Sequence, residues 1–312
     1  MKEYFPGFYK TRYDDLIDFQ QNATIVLDAY LLLDLLCVNE GKSFIDFLKD
    51  AKVENKLWLP YDAAWLYHNQ MHDVLIEQIK HVKSSMSYLT SFKNSIDDKF
   101  SHPYISAELD GRFCNLIQEL ETGLNIEKDK LKNDLQNKED GIISLIDKLY
   151  GKENINIEYD EADLTRLYDE AKDRYSKMIP PGFLFDTEYK DERIKYHDYI
   201  VWSEMKKQAE EKKTDIMFVT NRIRSDWFFI YDDEIIGARK ELINEFEGIT
   251  KHKICIVTVH SFIEENIKNI ERNTGERYSD LLNVFSEKPF YACNVQHKKE
   301  HYTAYVDENE IG

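Results

Sequence analysis

The sequence predicts an α/β protein whose mostly parallel sheet is flanked by helices and interrupted by a large all-α insertion. Short apolar segments of strand length alternate with longer helical segments, which is the pattern of a parallel sheet covered by helices. A charged stretch over residues 70–177 contains no convincing strand. Only 11 Gly and 6 Pro occur among 312 residues, which argues against a turn-rich all-β chain.

The first half of the sheet is predicted from two short segments, 24–27 and 56–59. The segment Thr-Ile-Val-Leu at 24–27 is apolar and β-branched, as expected for a strand buried on both faces. The apolar run at 29–38 is too long for a strand and predicts a buried helix that ends near Gly41. Pro60 closes the second strand, and proline at a helix start predicts that a helix follows.

The remaining elements are predicted from the same periodicities. Helical segments are expected at about 61–99, 108–138, 140–149 and 161–178. The alternation continues after the Pro-Pro-Gly loop at 180–182. The expected elements are a helix opening at His197-Asp198, a strand at 215–220, a helix at 242–246, a strand at 254–259 and a helix at 260–270. The tail after residue 272 suggests at most a small β piece.

The net charge of −18 limits the ways in which this chain binds nucleic acid. A broad basic face is excluded, so binding would need a local basic patch, a bound cation or a partner chain. The N-terminus has no apolar run typical of a signal peptide, and no run of 18 apolar residues predicts a membrane span. The cytoplasm is therefore the simplest expectation. Four cysteines without metal-ligand spacing predict buried reduced thiols: Cys37, Cys114, Cys255 and Cys293.

Four polar residues are predicted to meet at the carboxyl edge of the sheet. Asp28 and Asn221 directly follow strands, Asp198 begins a helix, and Asp226 lies in the loop beyond Asn221. Ligands gather at this edge in open parallel sheets. Carboxylate oxygens suit Mg²⁺ or Mn²⁺, and such an ion can polarise a phosphodiester and activate water.

Each of these residues also has a simpler interpretation. Asp28 and Asp198 are common N-cap residues, and Asp226 fits an ordinary loop; only their conjunction favours a site. Arg222, Arg224 and Trp227 lie beside the acids and form a rim that suits single-stranded nucleic acid, by charge and by stacking. Core packing is an equally good interpretation of the tryptophan.

Several motifs, in register along the chain, resemble the PIN-like nuclease domain family, in particular a bacterial group with a helical insertion. They are IVLDAYLLLDLL at 25–36, LWLPYDAAWLYHNQ at 57–70, IPPGF at 179–183, HDYIVW at 197–202, FVTNRIRSDWF at 218–228, KELINEF at 240–246 and HSFIEE at 260–265. The resemblance implies a PIN-like domain in two halves, a helical insertion and a C-terminal extension, with bounds at 1–69, 178–271, 70–177 and 272–312. It also implies a metal-dependent nuclease acting on RNA, often a toxin or an anti-phage defence effector.

The sequence departs from the family pattern at part of the implied acid set. Asp28, Asp198 and Asp226 match family positions, but Leu66 stands where the family has a glutamate. Asn221 and Arg222 replace acids after the Val-Thr pair, and Ala29-Tyr30 replaces Thr-Asn. Asp62, one turn before Leu66, either substitutes for the missing acid or caps its helix.

Two hypotheses about function follow from the incomplete acid set. The first is a nuclease that uses Mg²⁺ or Mn²⁺ and cleaves RNA. The second is a PIN-like scaffold without chemistry, which acts as a subunit or sensor and binds a protein partner through residues 70–177.

Overall fold

The computed structural model describes residues 1, 6–8, 13–97, 106–136, 141–151, 154–155, 158–184, 191–232, 234–274 and 278–286. These residues form two compact units, one from the described parts of 1–70 and 145–286 and the other from the described parts of 71–144. The helices of the described residues are α1 (Tyr13–Asn22), α2 (Ala29–Asp34), α3 (Gly41–Asp50), α4 (Tyr61–Asp97), α5 (Ala107–Leu135), α6 (Ile142–Leu149), α7 (Glu161–Ser176), α8 (Glu192–Lys212), α9 (Lys240–Thr250), α10 (Val259–Thr274) and α11 (Ser279–Val284). The strands are β1 (Thr24–Leu27), β2 (Ile216–Thr220), β3 (Phe228–Tyr231), β4 (Glu234–Ala238) and β5 (Ile254–Thr258).

The centre of the first unit is a parallel three-stranded sheet in the order β1-β2-β5, which confirms the predicted α/β class. Leu27 pairs with Val219, and Thr220 pairs with Thr258, so the three strands end at the same edge. The side chains of β2 are all buried, as the apolar run Ile-Met-Phe-Val predicts for a central strand. This arrangement places whatever follows Leu27 and Thr220 side by side.

The predicted strand at 56–59 is wrong as a regular element. Leu57 makes a single parallel bridge with Ile25, and Leu59 makes another with Ile155. Glu54–Lys56 forms a 3₁₀ turn immediately before these bridges, so no continuous ladder develops. The segment extends the sheet edge without becoming a fourth strand among the described residues.

The helix predicted over 29–38 ends earlier than expected. The structure ends α2 at Asp34, and Gly41 begins α3 instead of capping the preceding helix. Phe44 and Phe47 bury the apolar face of α3 against Phe262, Tyr278 and Phe285. This aromatic contact layer was not predicted, because 41–50 has too many polar residues to stand out as a buried segment.

Two elements differ from prediction in the second half. The antiparallel hairpin β3–β4 follows directly after Asp226-Trp227, where only a loop was expected. Helix α10 extends to Thr274, and α11 follows it. The predicted β piece in the tail falls at 288–306, which lies outside the described residues.

The second unit contains most of α4 and all of α5, as the helical periodicity predicts. Phe92 and Phe113 join the two helices by an edge contact at 5.5 Å between ring centroids. Leu109, Leu116 and Leu120 remain exposed on α5. No helix in the described ranges is both long and apolar enough to span a bilayer.

Candidate metal centre

The structure brings Asp28, Asp198 and Asp226 together at the carboxyl edge of the parallel sheet. Asp28 is the N-cap of α2: its Oδ1 accepts a hydrogen bond from Tyr30 N at 3.3 Å. Its Oδ2 accepts a second from Thr220 Oγ1 at 2.6 Å. Capping and site membership are therefore compatible for this residue, although the sequence presented them as alternatives.

Asp198 lies in the second turn of α8 rather than at its start, so the N-cap interpretation is wrong for this residue. The helix begins at Glu192 because Asp191 caps it, accepting a hydrogen bond from Arg193 N at 2.9 Å. Asp198 instead faces the sheet edge, where its carboxylate pairs with the guanidinium of Arg224. Six further residues of helix precede it, which the sequence pattern did not reveal.

Asp226 is fully buried and shares the same guanidinium. Its Oδ2 lies 3.2 Å from Arg224 Nη2 and accepts a hydrogen bond from Gly182 N at 2.9 Å. Its Oδ1 is also buried and has no hydrogen-bond partner among the described residues. We call Asp28, Asp198, Asp226 and Arg224 the sheet-edge cluster.

Gly182 shows why the Pro-Pro-Gly loop is needed at this cluster. Its φ of +93° favours glycine, and a Cβ there would lie 2.0 Å from the Tyr175 hydroxyl and 3.0 Å from Asp198 Cβ. Arg174 donates a hydrogen bond to the carbonyl of Pro180 and holds the loop in place. A side chain at position 182 would therefore displace the backbone N–H that donates a hydrogen bond to Asp226 Oδ2.

The electrostatics of the cluster differ from one acid to the next. Burial raises the pKa of Asp28, and repulsion from Asp198 raises it further. The hydrogen bond from Thr220 lowers the pKa but does not cancel these two effects. Burial also opposes ionisation of Asp198, but the Arg224 guanidinium outweighs it and lowers the pKa of that carboxyl. For Asp226, burial and the charge of Asp198 prevail over Arg224 and raise its pKa. The cluster thus carries more acid than its single buried arginine neutralises.

The other predicted site residues lie near the cluster but are differently engaged. Asn221 is buried, and its amide donates a hydrogen bond to Asp34 Oδ2 at 2.9 Å, a partner outside the three acids. Arg222 stacks its guanidinium over the Tyr30 ring, 3.4 Å from the centroid. It therefore borders the site and is half-buried there.

Trp227 was predicted as a stacking platform for substrate, and its position contradicts that role. It is 2% exposed and packs against Phe218 at 4.9 Å and Trp202 at 6.1 Å between ring centroids. The side chain anchors the loop that carries Arg224 and Asp226 to the core behind β2. Core packing, the alternative interpretation of this residue, is the one that its burial supports.

A second buried group of charges lies between α4 and α8. Asp62 Oδ1 lies 2.7 Å from Arg193 Nε, and its Oδ2 lies 2.6 Å from His197 Nδ1. Glu204 Oε2 accepts the Asp62 backbone N–H at 3.1 Å. We call Asp62, Arg193, His197 and Glu204 the interhelix cluster. Asp62 is therefore not a helix cap, and its carboxylate is already committed to two basic side chains.

The pKa values of the interhelix cluster follow from its burial. Burial opposes protonation of His197, but the hydrogen bond and charge of Asp62 outweigh it and raise the pKa of the imidazole. Burial, with repulsion from Asp62, raises the pKa of Glu204 to about 8. Glu204 therefore favours its protonated form near neutral pH, and Asp62 stabilises the charged form of His197.

Sequence reasoning missed several residues that shape the two clusters. Thr220 ends β2 in register with the residue after Leu27, so a strand-pairing argument would have found it. Gly182 acts through its backbone N–H, and a motif alone does not reveal that. Arg193 and Glu204 were not singled out from the sequence, because only the packing of α8 against α4 brings them to Asp62.

The residue types of the sheet-edge cluster fit a hard divalent ion, whereas their present arrangement is closed by Arg224. Three carboxylates, one with a buried unpartnered oxygen, supply the donors that Mg²⁺ and Mn²⁺ prefer. Within the described ranges, no three His, Cys, Asp or Glu side chains form a group that would hold a metal ion. The guanidinium takes the place between Asp198 and Asp226 instead.

The three acids gather at the carboxyl edge of the parallel sheet, which is where open α/β sheets bind their ligands. The family model described as a PIN like domain matches residues 24–242, well over half of the chain. The chain therefore belongs to the PIN-like domain family, a nuclease-type fold. Neither a curated protein nor a solved structure shows significant similarity to it.

Proposed function

We propose that this protein is a metal-dependent nuclease that cleaves RNA, with Asp28, Asp198 and Asp226 as the residues that hold Mg²⁺ or Mn²⁺. One observation carries the proposal: three acids from separate parts of the chain converge at the carboxyl edge of the sheet, and two of them share one guanidinium. A divalent ion, when bound there, supplies a Lewis acid that polarises the phosphodiester and lowers the pKa of water.

The roles of the side chains follow from their surroundings. Asp28 is fixed by its cap and by Thr220, so its carboxylate is preorganised at the end of β1. Burial raises its pKa and repulsion from Asp198 adds to this, so a divalent cation would stabilise the ionised carboxylate. Asp226 contributes an oxygen that is buried without a hydrogen-bond partner among the described residues. These features suit cation binding better than they suit a purely structural acid pair.

Arg222 is the residue we assign to the nucleic acid. Its stack on Tyr30 holds the guanidinium beside Asp28 while leaving it half-buried at the border of the site. Guanidinium groups bind phosphate in bidentate fashion. A local cation of this kind lets a protein of net charge −18 engage a phosphate backbone.

The biological setting that the family resemblance implies is a toxin or an anti-phage defence effector, and we include it in the proposal. Induced expression in bacteria would then slow growth, and an inactive variant would not. Equal growth with both proteins would remove this part of the proposal and leave the nuclease activity to be judged separately.

Asp28→Asn tests the nuclease directly. Asparagine can retain the cap through its Oδ1, and its Nδ2 can donate a hydrogen bond to the Thr220 hydroxyl, so the fold is expected to survive. We expect cleavage of single-stranded RNA with Mn²⁺ to fall at least about a hundredfold, the size of losing several kcal/mol of transition-state stabilisation. Asp46→Asn, an exposed acid paired with Lys49, is the matched control and should cleave normally. Full activity of the Asp28 variant would rule out this residue as a required ligand.

A second candidate function is a scaffold without catalysis, and the guanidinium of Arg224 favours it by neutralising Asp198 and Asp226. Leu66, fully buried where the family has glutamate, points the same way. This protein would then bind a partner through the helices at 70–177. Retained cellular function in an Asp28→Ala/Asp198→Ala variant would support the scaffold, and metal-dependent cleavage that this variant loses would exclude it.

A further inference from the structure

Arg224 is the part of the sheet-edge cluster that a metal site does not explain. Its guanidinium pairs with Asp198 and lies 3.2 Å from Asp226, and its side chain is 13% exposed. It belongs to the loop that carries Asp226, two residues before that acid, and Trp227 anchors the same loop in the core. The arginine is therefore held where its charge opposes any other cation between the two carboxylates.

Charge balance restricts how a divalent ion and Arg224 share this site. An ion that binds with the guanidinium in place meets a repelling charge and two carboxylates already engaged. If Arg224 leaves without a new partner, an arginine from a buried pair loses its counter-charge, which is strongly unfavourable. A phosphate group removes both obstacles, because it offers the guanidinium a bidentate anionic partner and frees the two carboxylates.

We propose that Arg224 exchanges Asp198 and Asp226 for a phosphate of the bound nucleic acid, so that divalent metal and nucleic acid bind this site cooperatively. The inference rests on the proposed metal site and adds its regulation: without nucleic acid, the arginine serves as an internal counter-ion and keeps the site closed. Arg222 remains stacked on Tyr30 and is the constant cation at the border.

The coupling must act equally in both directions. If nucleic acid tightens metal binding by a given factor, the metal tightens nucleic-acid binding by the same factor. Removing the guanidinium should abolish the coupling and, separately, raise the affinity of the free protein for metal. These two effects distinguish an internal counter-ion from an arginine that merely supports the loop, because loss of loop support would weaken metal binding.

The experiment measures Mn²⁺ binding through the electron paramagnetic resonance signal of the free ion, with and without a single-stranded 2′-O-methyl oligouridine that resists cleavage. For the wild type we expect weak Mn²⁺ binding alone and roughly tenfold or greater tightening with the oligonucleotide, within the usual range of coupling. Arg224→Gln should bind Mn²⁺ at least about tenfold more tightly than the wild type when alone, and the oligonucleotide should change that affinity little.

Arg239→Gln is the matched control, since Arg239 pairs with Glu241 and the Ser225 carbonyl rather than with the three acids. It should behave as the wild type does. Arg224→Lys keeps the charge without the planar fork and should give intermediate coupling, which provides a second variant if the glutamine protein does not fold.

The outcomes separate the two proposals. If wild type and Arg224→Gln bind Mn²⁺ equally and the oligonucleotide changes neither, the exchange is overturned while the metal site stands. If no protein binds Mn²⁺ under either condition, the metal site itself is wrong and the exchange falls with it. If Arg224→Gln binds Mn²⁺ more weakly than the wild type, the arginine supports the site and is not a counter-ion.

Discussion

The sheet-edge cluster and the interhelix cluster are both buried, and adjacent residues of α8 belong to them, yet their charges are balanced in opposite ways. His197 faces Asp62 and Asp198 faces Arg224, because successive helical residues point about 100° apart. In the interhelix cluster, Asp62 has two basic partners, and Glu204 favours its protonated form. In the sheet-edge cluster, Asp198 and Asp226 share the guanidinium of Arg224, and Asp28 accepts hydrogen bonds from Tyr30 N and Thr220 instead.

This difference separates a structural ion-pair network from a candidate binding site. Both carboxylate oxygens of Asp62 have basic partners, so the interhelix cluster joins α4 to α8 and leaves that acid no room for a ligand. Asp28 has a raised pKa, and Asp226 retains a buried oxygen that no described residue satisfies. Unbalanced acidity at a sheet edge is the property from which we infer cation binding.

Removing the carboxylate of Asp62 from the interhelix cluster is expected to have the largest effect on stability. Asp62→Ala leaves Arg193 and His197 buried without their common partner, which costs about 3–5 kcal/mol for a broken buried pair. Chemical denaturation at pH 7 measures this loss. The exposed pair Asp46–Lys49 supplies the control, and Asp46→Ala should change stability by less than about 1 kcal/mol. A loss as small as the control's would show that the interhelix cluster is not structural.

The next largest effect is expected from Glu204, whose ionisation makes the free energy of unfolding depend on pH. Its folded pKa of about 8 lies above the ordinary glutamate value of 4.5, so the folded state binds the proton more tightly. The stability contributed by this proton is complete below pH 4.5 and is lost as pH rises towards 8. Glu204→Gln cannot ionise, so it should exceed the wild type at pH 8 by roughly 2–4 kcal/mol, since one pKa unit is about 1.4 kcal/mol.

Thermal unfolding from pH 5 to 8.5 measures this effect. Glu241→Gln is the control, because the hydrogen bond with Arg239 lowers the pKa of Glu241. Removing this carboxylate should therefore not raise the stability at pH 8. Parallel stability curves for wild type and Glu204→Gln would contradict a protonated Glu204 in the interhelix cluster.

The framework of this protein follows from its sequence more completely than its site does. Apolar runs identify the three parallel strands, and Asp28 follows one of them, because burial on both faces leaves a clear pattern. The hairpin β3–β4 and helix α3 were missed, since their residues alternate or mix polarity without a strong period.

Side-chain pairing is what the sequence could not predict. Arg224 was expected at a substrate rim and instead lies between Asp198 and Asp226, because the buried Trp227 fixes the direction of its loop. From the sequence, Asp62 was interpreted as a helix cap or a substitute acid, whereas in the structure its carboxylate pairs with Arg193 and His197 of α8. Such pairings depend on which elements pack together, and spacing within one element does not encode that.

A crystal structure of the protein with Mn²⁺ and the 2′-O-methyl oligouridine tests the central claim most directly. We predict an anomalous Mn²⁺ peak in contact with Asp28, Asp198 and Asp226, with the Arg224 guanidinium on a phosphate. Bound oligonucleotide with no such peak, and with Arg224 still paired to Asp198 and Asp226, would contradict a metal centre at this edge of the sheet.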